Sequence, residues 1–140
     1  MTINYWLIKF APFRYSWNDC LLNGKFQIYS VRNPQARKNL KAMRINDEAL
    51  FYHSQEGNCI MGQMKVIEEA HQDPTTTDER WLSVVFEPVA TFANPVPLAK
   101  IKSTPELSNI ALIRQARLSV SPLMPDEFRL IVSLGVMTEE

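Results

Sequence analysis

The stretch Val31-Arg32-Asn33-Pro34-Gln35-Ala36-Arg37-Lys38-Asn39-Leu40-Lys41-Ala42-Met43-Arg44 decides how this chain is built. Asn33-Pro34 reads as a helix start, because Asn caps well and Pro at the first helical position gives up no needed hydrogen bond. Ala36, Leu40 and Met43 then recur at i, i+4 and i+7 and form one apolar stripe. Arg37, Lys41 and Arg44 repeat with the same spacing about a third of a turn away, so the helix carries a basic exposed flank. Phe26–Val31 before it is extended, and Arg44-Ile45-Asn46-Asp47 supplies the exit turn.

Strands surround this helix. Ala49–Ser54 and Cys59–Glu68 are extended by composition, and Gln55-Glu56-Gly57-Asn58 between them has the residues of a tight hairpin loop. Tyr5–Lys9 is a short opening strand ended by Pro12, and Ser16 is placed to cap a helical turn through Leu22 that closes near Asn23-Gly24. His71–Arg80 reads as a polar loop. Trp81–Phe92 reads as a long strand interrupted at Pro88, and Asn94-Pro95-Val96-Pro97 as a rigid connector. Short helical turns are expected at Leu98–Ile101, Thr104–Leu107 and Ile110–Ala116, an extended piece at Leu118–Val120, and a last helix over Asp126–Leu134 capped by Gly135. Long hairpins interleaved with short helices indicate one α+β domain over residues 1–140 with a strongly curved sheet.

The composition is that of an ordinary globular protein, 46% hydrophobic and 21% charged. No apolar stretch approaches the roughly 20 residues of a membrane span, and the N-terminus has no export signal, which makes a cytoplasmic location the expectation. Cys20 and Cys59 lie far apart and read as buried thiols rather than a disulfide. The formal net charge is zero, but six basic residues and no acid lie between Asp19 and Asp47, while acids gather in Glu68–Glu79. The expected surface is asymmetric, with one face that anions approach and another that repels them.

Four segments in order, Tyr5-Trp6-Leu7-Ile8-Lys9, Val31-Arg32-Asn33 running into Gln35-Ala36-Arg37, Phe51-Tyr52-His53-Ser54, and Arg114-Gln115-Ala116-Arg117-Leu118-Ser119-Val120, resemble the EVE family over essentially the whole chain. The resemblance implies a PUA-like curved β-barrel with short flanking helices, related to the YTH readers of methylated adenine, and a pocket for a modified base. Carried over onto matching positions, it points to Lys9, Pro12, Val31, Arg32, Asn33, Gln35, Asn39, His53, Ser54, Arg114, Gln115 and Ser119. Two departures bear on that pocket. Lys9-Phe10-Ala11-Pro12 stands where the family has Lys-Ser-Glu-Pro, and Ile28-Tyr29-Ser30 where it has Trp-x-Gly; if the strand continues, Tyr29 faces away from the missing aromatic's side.

A flipped base is held by hydrogen bonds to its Watson–Crick edge and by stacking. Asn33, Gln35 and Asn39 offer donors and acceptors, as do Ser54 and Ser119; equally, Asn33 can be only an N-cap and Gln35 a solvated first-turn residue. Arg37, Lys38, Lys41 and Arg44 are candidate phosphate contacts, or simply a solvated helix face. Of Arg114 and Arg117, one is expected at the pocket mouth and the other in a structural ion pair. Trp6, Trp17 and Trp81 can stack on a ligand but in so small a domain read as core. The two histidines and two cysteines show no metal-ligand spacing, and no phosphate-loop, dinucleotide or nucleophile-elbow motif is present, so no metal or cofactor is expected.

The resemblance, together with the acid-free basic segment, implies a non-catalytic binding module for a modified base in DNA or RNA. A sensor of a free nucleotide using the same pocket, an enzyme using His53 and a cysteine, and a protein-interaction module are the alternatives.

Overall fold

The computed structural model describes residues 2–136. In chain order the elements are β1 (Tyr5–Phe10), α1 (Trp17–Asn23), β2 (Phe26–Gln27), α2 (Pro34–Ala42), β3 (Glu48–His53), β4 (Cys59–Gln72), β5 (Leu82–Pro97), α3 (Leu98–Lys102), a 3₁₀ turn (Pro105–Leu107), α4 (Ala111–Arg114), β6 (Val120–Leu123) and α5 (Pro125–Val136). They form a mixed six-stranded sheet in the order β2-β5-β4-β3-β1-β6. Only β1 and β3 are parallel among the described pairs, joined by the crossover that contains α1, β2 and α2.

The period-2 alternation of the strands divides the core in two. On one face Trp6, Ile8 and Phe51 pack with Phe26, Phe86 and the α2 stripe Ala36, Leu40 and Met43. On the other, Leu7, Leu50 and Tyr52 pack with Phe92, Ile101 from α3, and Phe128 and Ile131 from α5. Local chemistry starts both early helices as the residues require. Ser16 and Asp19 form a reciprocal capping box, Gly24 closes α1 in the left-handed region at φ 73°, and Asn33 Oδ1 accepts from Ala36 N at 3.0 Å.

The expected PUA-like curved β-barrel is not what the chain builds: the sheet stays open. The edge strands β2 and β6 do not pair, and α2 stands across the opening between them. Two local events prevent closure. β2 runs for only two residues, and Ser30 turns the chain away at φ 62° with its N–H taken by the Asp73 carboxylate at 2.7 Å. On the opposite edge, the Val120 carbonyl accepts from Asn39 Nδ2 of α2 at 2.7 Å, a buried side-chain bond where a further strand would otherwise have offered an N–H.

Three further expectations change. β4 continues to Gln72, taking in His71 from the expected loop, and β5 continues through the expected connector to Pro97. Pro88, Pro95 and Pro97 are tolerated because β2 covers β5 only at Val85 and Phe86, leaving the outer edge of β5 without a further strand partner among the described residues. Pro122 likewise lies within β6, an edge strand. Gly135 is not a cap but lies inside α5, where a Cβ would sit 2.3 Å from the Phe92 ring; the helix can approach β5 so closely only without one.

Candidate functional site

A cavity of about 540 Å³ opens beside the C-terminal end of β1. Its walls are Lys9–Ala11 and Arg14 from β1 and the turn after it, Ile28–Asn33 leading into α2, Tyr52–Ser54 in part, and the segment from Ala116 to Ser119 in part. Four contacts hold those walls in place. Lys9 ties two of them together: its backbone N–H donates to Ser119 O at 2.8 Å and its Nζ to Ala116 O at 2.5 Å, and burial lowers its pKa. Ser54 N donates to Phe10 O at 3.0 Å. Asp73, fully buried, anchors the Ile28–Asn33 wall through Ser30 N and stands 4.0 Å from the Arg32 guanidinium.

Six of the twelve carried-over residues meet in this cavity: Lys9, Val31, Arg32, Asn33, Ser54 and Ser119. Asn33 spends Oδ1 on the helix cap, so what it offers a ligand is its Nδ2 group. Gln35, Asn39 and Gln115 line a separate cavity of about 710 Å³ with Ala111, Leu118 and Pro122, and there Gln35 Nε2 donates to Asn39 Oδ1 at 3.2 Å. Pro12, His53 and Arg114 line neither. Arg114 holds its own loop through Ser108 O at 2.9 Å, and of the two arginines it is Arg117 that borders the first cavity.

His53 Nε2 accepts the Trp17 backbone N–H at 2.9 Å, at the start of α1, and burial lowers its pKa, so the ring is a neutral acceptor for a helix terminus. Cys59 faces His53 across the β3–β4 ladder, but burial raises its thiol; Cys20 is pushed up to about 12, by burial first and Asp19 second. Neither cysteine is a thiolate near neutral pH. Among the described residues, no group of three or more His, Cys, Asp or Glu is placed to hold a metal ion.

The two departures from the family pattern converge on the cavity. Phe10 and Tyr29 meet edge to face with ring centroids 5.3 Å apart, and the exposed Arg14 guanidinium lies 4.4 Å over the first ring and 4.9 Å over the second. The alternation argument that sent Tyr29 to the opposite face does not apply, because the strand ends at Gln27 and Ser30 reverses the chain. Arg14 had no signal in periodicity or motif, since it lies on the turn between β1 and α1.

The basic segment is divided in its uses. Lys38 and Lys41 are exposed on α2. Arg44 Nη1 caps the end of that helix, donating to Lys41 O and Met43 O at 3.0 Å each, an arrangement that the helix dipole favours. Arg37 Nη1 donates to Arg80 O at 3.3 Å. The acid-rich stretch therefore abuts the basic helix instead of forming a separate repelling face: Arg80 follows directly on Asp78 and Glu79, and Glu69 Oε2 accepts from Ile45 N at 3.2 Å. Trp6 and Trp17 are core, whereas Trp81 is half-buried beneath the guanidiniums of Arg32, Arg37 and Arg80.

An open mixed sheet with a polar-rimmed pocket at one end of its central strands and a basic helix beside it defines a small ligand-binding module of the PUA-like kind. The chain matches the EVE domain model over residues 4–134 and belongs to that family. It is 33% identical to thymocyte nuclear protein 1 of Mus musculus over 94% of this chain and 73% of that protein. Against the human protein of the same name, it is 35% identical over 74% of this chain and spans 56% of the relative's length. Among solved structures, it superposes on an Agrobacterium tumefaciens protein with a TM-score of 0.93 at 36% identity, covering 98% of this chain and 96% of that one. It superposes on human THYN1, solved in complex with 5-methylcytosine-containing DNA, with a TM-score of 0.89 at 29% identity over 97% of this chain and 99% of that chain. The cytoplasmic expectation is overturned by these relatives, which carry the name of a nuclear protein.

Proposed function

We propose that this chain is a non-catalytic module that binds a modified base of DNA, 5-methylcytosine or a base of the same shape, in the cavity between β1, the Ile28–Asn33 segment and the Ala116–Ser119 segment. The observation that carries the reading is the near-complete superposition on human THYN1, a protein solved on 5-methylcytosine-containing DNA. The cavity has chemistry of the required kind. Tyr29, whose ring meets Phe10 and the Arg14 guanidinium, supplies an aromatic wall for stacking, Val31 an apolar surface for a methyl group, and Asn33 Nδ2, Ser54 and Ser119 hydrogen-bonding groups for a base edge. Lys38 and Lys41 approach the backbone phosphates without reading sequence. His53 and the cysteines have no part in chemistry on the ligand.

Fluorescence anisotropy with two duplexes that differ only in one central cytosine, methylated or not, tests the reading. The methylated duplex binds more tightly, and Tyr29→Leu removes about 1–3 kcal/mol of that affinity, the usual size of an aromatic stacking contribution. Equal affinity for both duplexes, with Tyr29→Leu and Asn33→Ala without effect, overturns it. If free 5-methyldeoxycytidine binds as tightly as the duplex, the small-molecule sensor is the better description.

A further inference from the structure

Three guanidiniums crowd a single indole. The Arg32, Arg37 and Arg80 groups lie 4.4, 4.8 and 4.8 Å from the ring of Trp81, and they come from the pocket rim, from α2 and from the loop between β4 and β5. Each contact with the ring face is favourable, yet three like charges around one ring repel. Carboxylates answer two of them, Asp73 at 4.0 Å from Arg32 and Asp78 at 2.7 Å from Arg80. Among the described residues, no acid within salt-bridge distance answers Arg37, and its buried Nε has no hydrogen-bond partner. Arg80 meets Asp78 through Nε and Nη2, which leaves the Nη1 edge of its fork. Arg37 and Arg80 then line, with Lys38 and Lys41, a cleft of about 420 Å³ that holds one carboxylate, Glu79.

We propose that this cleft binds a phosphate of a nucleic-acid backbone, with Arg37 and Arg80 as its ligands and Trp81 as the platform that fixes their planes. An anion there relieves the repulsion among the three guanidiniums and supplies the counter-charge that Arg37 lacks. Arg32 borders the base cavity and shares the Trp81 ring with Arg37 and Arg80, so Trp81 links the rim of the cavity to the two cleft arginines, a placement that suits a phosphate flanking the bound nucleotide. The inference adds a phosphate subsite to the base-binding reading, and its test separates the two.

The probe is unmodified pentathymidylate, which carries phosphates but no modified base, followed through the Trp81 indole N–H resonance and assigned by its loss in Trp81→Phe. The expected result is a saturable shift that weakens with salt. Arg80→Ala, at an exposed side chain, weakens binding by roughly three- to tenfold and lowers the salt slope by about one; Arg37→Lys, which keeps the charge but not the fork, weakens it less. Glu79→Gln strengthens binding by about two- to fivefold through loss of a like charge. An unmoved indole resonance, or an Arg80→Ala slope equal to that of the parent, overturns the proposal. An equal response to inorganic phosphate at the same phosphate concentration overturns the backbone assignment in favour of a free anion. If methylated and unmethylated duplexes bind alike while the indole still shifts, it is the base reading that fails and the cleft stands.

Discussion

Replacing Asp73 with Asn isolates the contact that shapes the pocket. The parent carboxylate is fully buried and accepts from Ser30 N at 2.7 Å, Thr75 N at 2.8 Å and Thr75 Oγ1 at 2.6 Å, with Arg32 at 4.0 Å. Burial alone would raise its pKa, but the bonds from Thr75 and Ser30 and the charge of Arg32 outweigh it and hold the carboxyl below the ordinary carboxylate value. Asparagine keeps one acceptor oxygen and turns the other into a donor that faces a donor. Losing the charge-assisted bond to Ser30 costs about 1.5–3 kcal/mol, and weakening of the Thr75 pair adds about 1, giving roughly 3 kcal/mol. In a domain of this size, that lowers the melting temperature by about 10 °C.

The pH dependence follows from the depressed pKa. Between the folded value and the unfolded value near 4, the unfolded chain binds more protons, so the contribution of Asp73 is complete above about pH 4 and is lost as pH falls through the folded value. Urea unfolding of parent and Asp73→Asn should therefore differ by a constant amount from pH 7 to 5, with a gap that narrows below pH 4. Ser30, at φ 62°, also loses the bond that holds its turn, so affinity for the methylated duplex should fall as well. A stability difference under 0.5 kcal/mol, or one that ignores pH between 5 and 3, refutes the assignment.

Two other outcomes are expected. Because burial lowers the pKa of His53 and its neutral Nε2 accepts Trp17 N–H, its contribution is complete above about pH 6.5 and declines as pH falls toward the folded value; this component of the stability–pH profile should vanish in His53→Gln, measured by denaturant titration between pH 7.5 and 5. Gly135→Ala should lower stability by about 1–3 kcal/mol despite the better helix propensity of Ala, since its Cβ would lie 2.3 Å from Phe92; calorimetry of Gly135→Ala with and without Phe92→Leu checks this, and the cost should shrink in the double variant.

How far the site was legible depends on what each residue relies on. Asn33, Ser54 and Ser119 could be placed at the pocket because ordered motifs locate them relative to strand ends. Gln35 and Asn39 sit two and six residues beyond Asn33, yet the turn of α2 carries them to the far side of the Ala111–Leu118 segment. Tyr29 was sent to the wrong face by an alternation rule that holds only while a strand lasts. His53 belongs to a family motif but answers a need of α1, the unsatisfied N–H of Trp17, which no local pattern announces.

Sequence alone determined what depends on near neighbours: the Asn33-Pro34 start, the Ala36–Leu40–Met43 stripe, the Ser16 cap, the β3–β4 hairpin and family membership. Tertiary structure decided what depends on residues far apart in the chain. Whether the sheet closes turns on Asp73 capturing Ser30 across 43 positions and Asn39 capturing Val120 across 81. Whether Arg37 is a solvated charge or part of a cleft turns on Trp81 and Arg80 arriving from another loop. Capping and periodicity are satisfied within a few residues, so the chain displays them directly. Closure and charge pairing depend on which distant partner satisfies a buried group, and that is fixed only when the whole core packs.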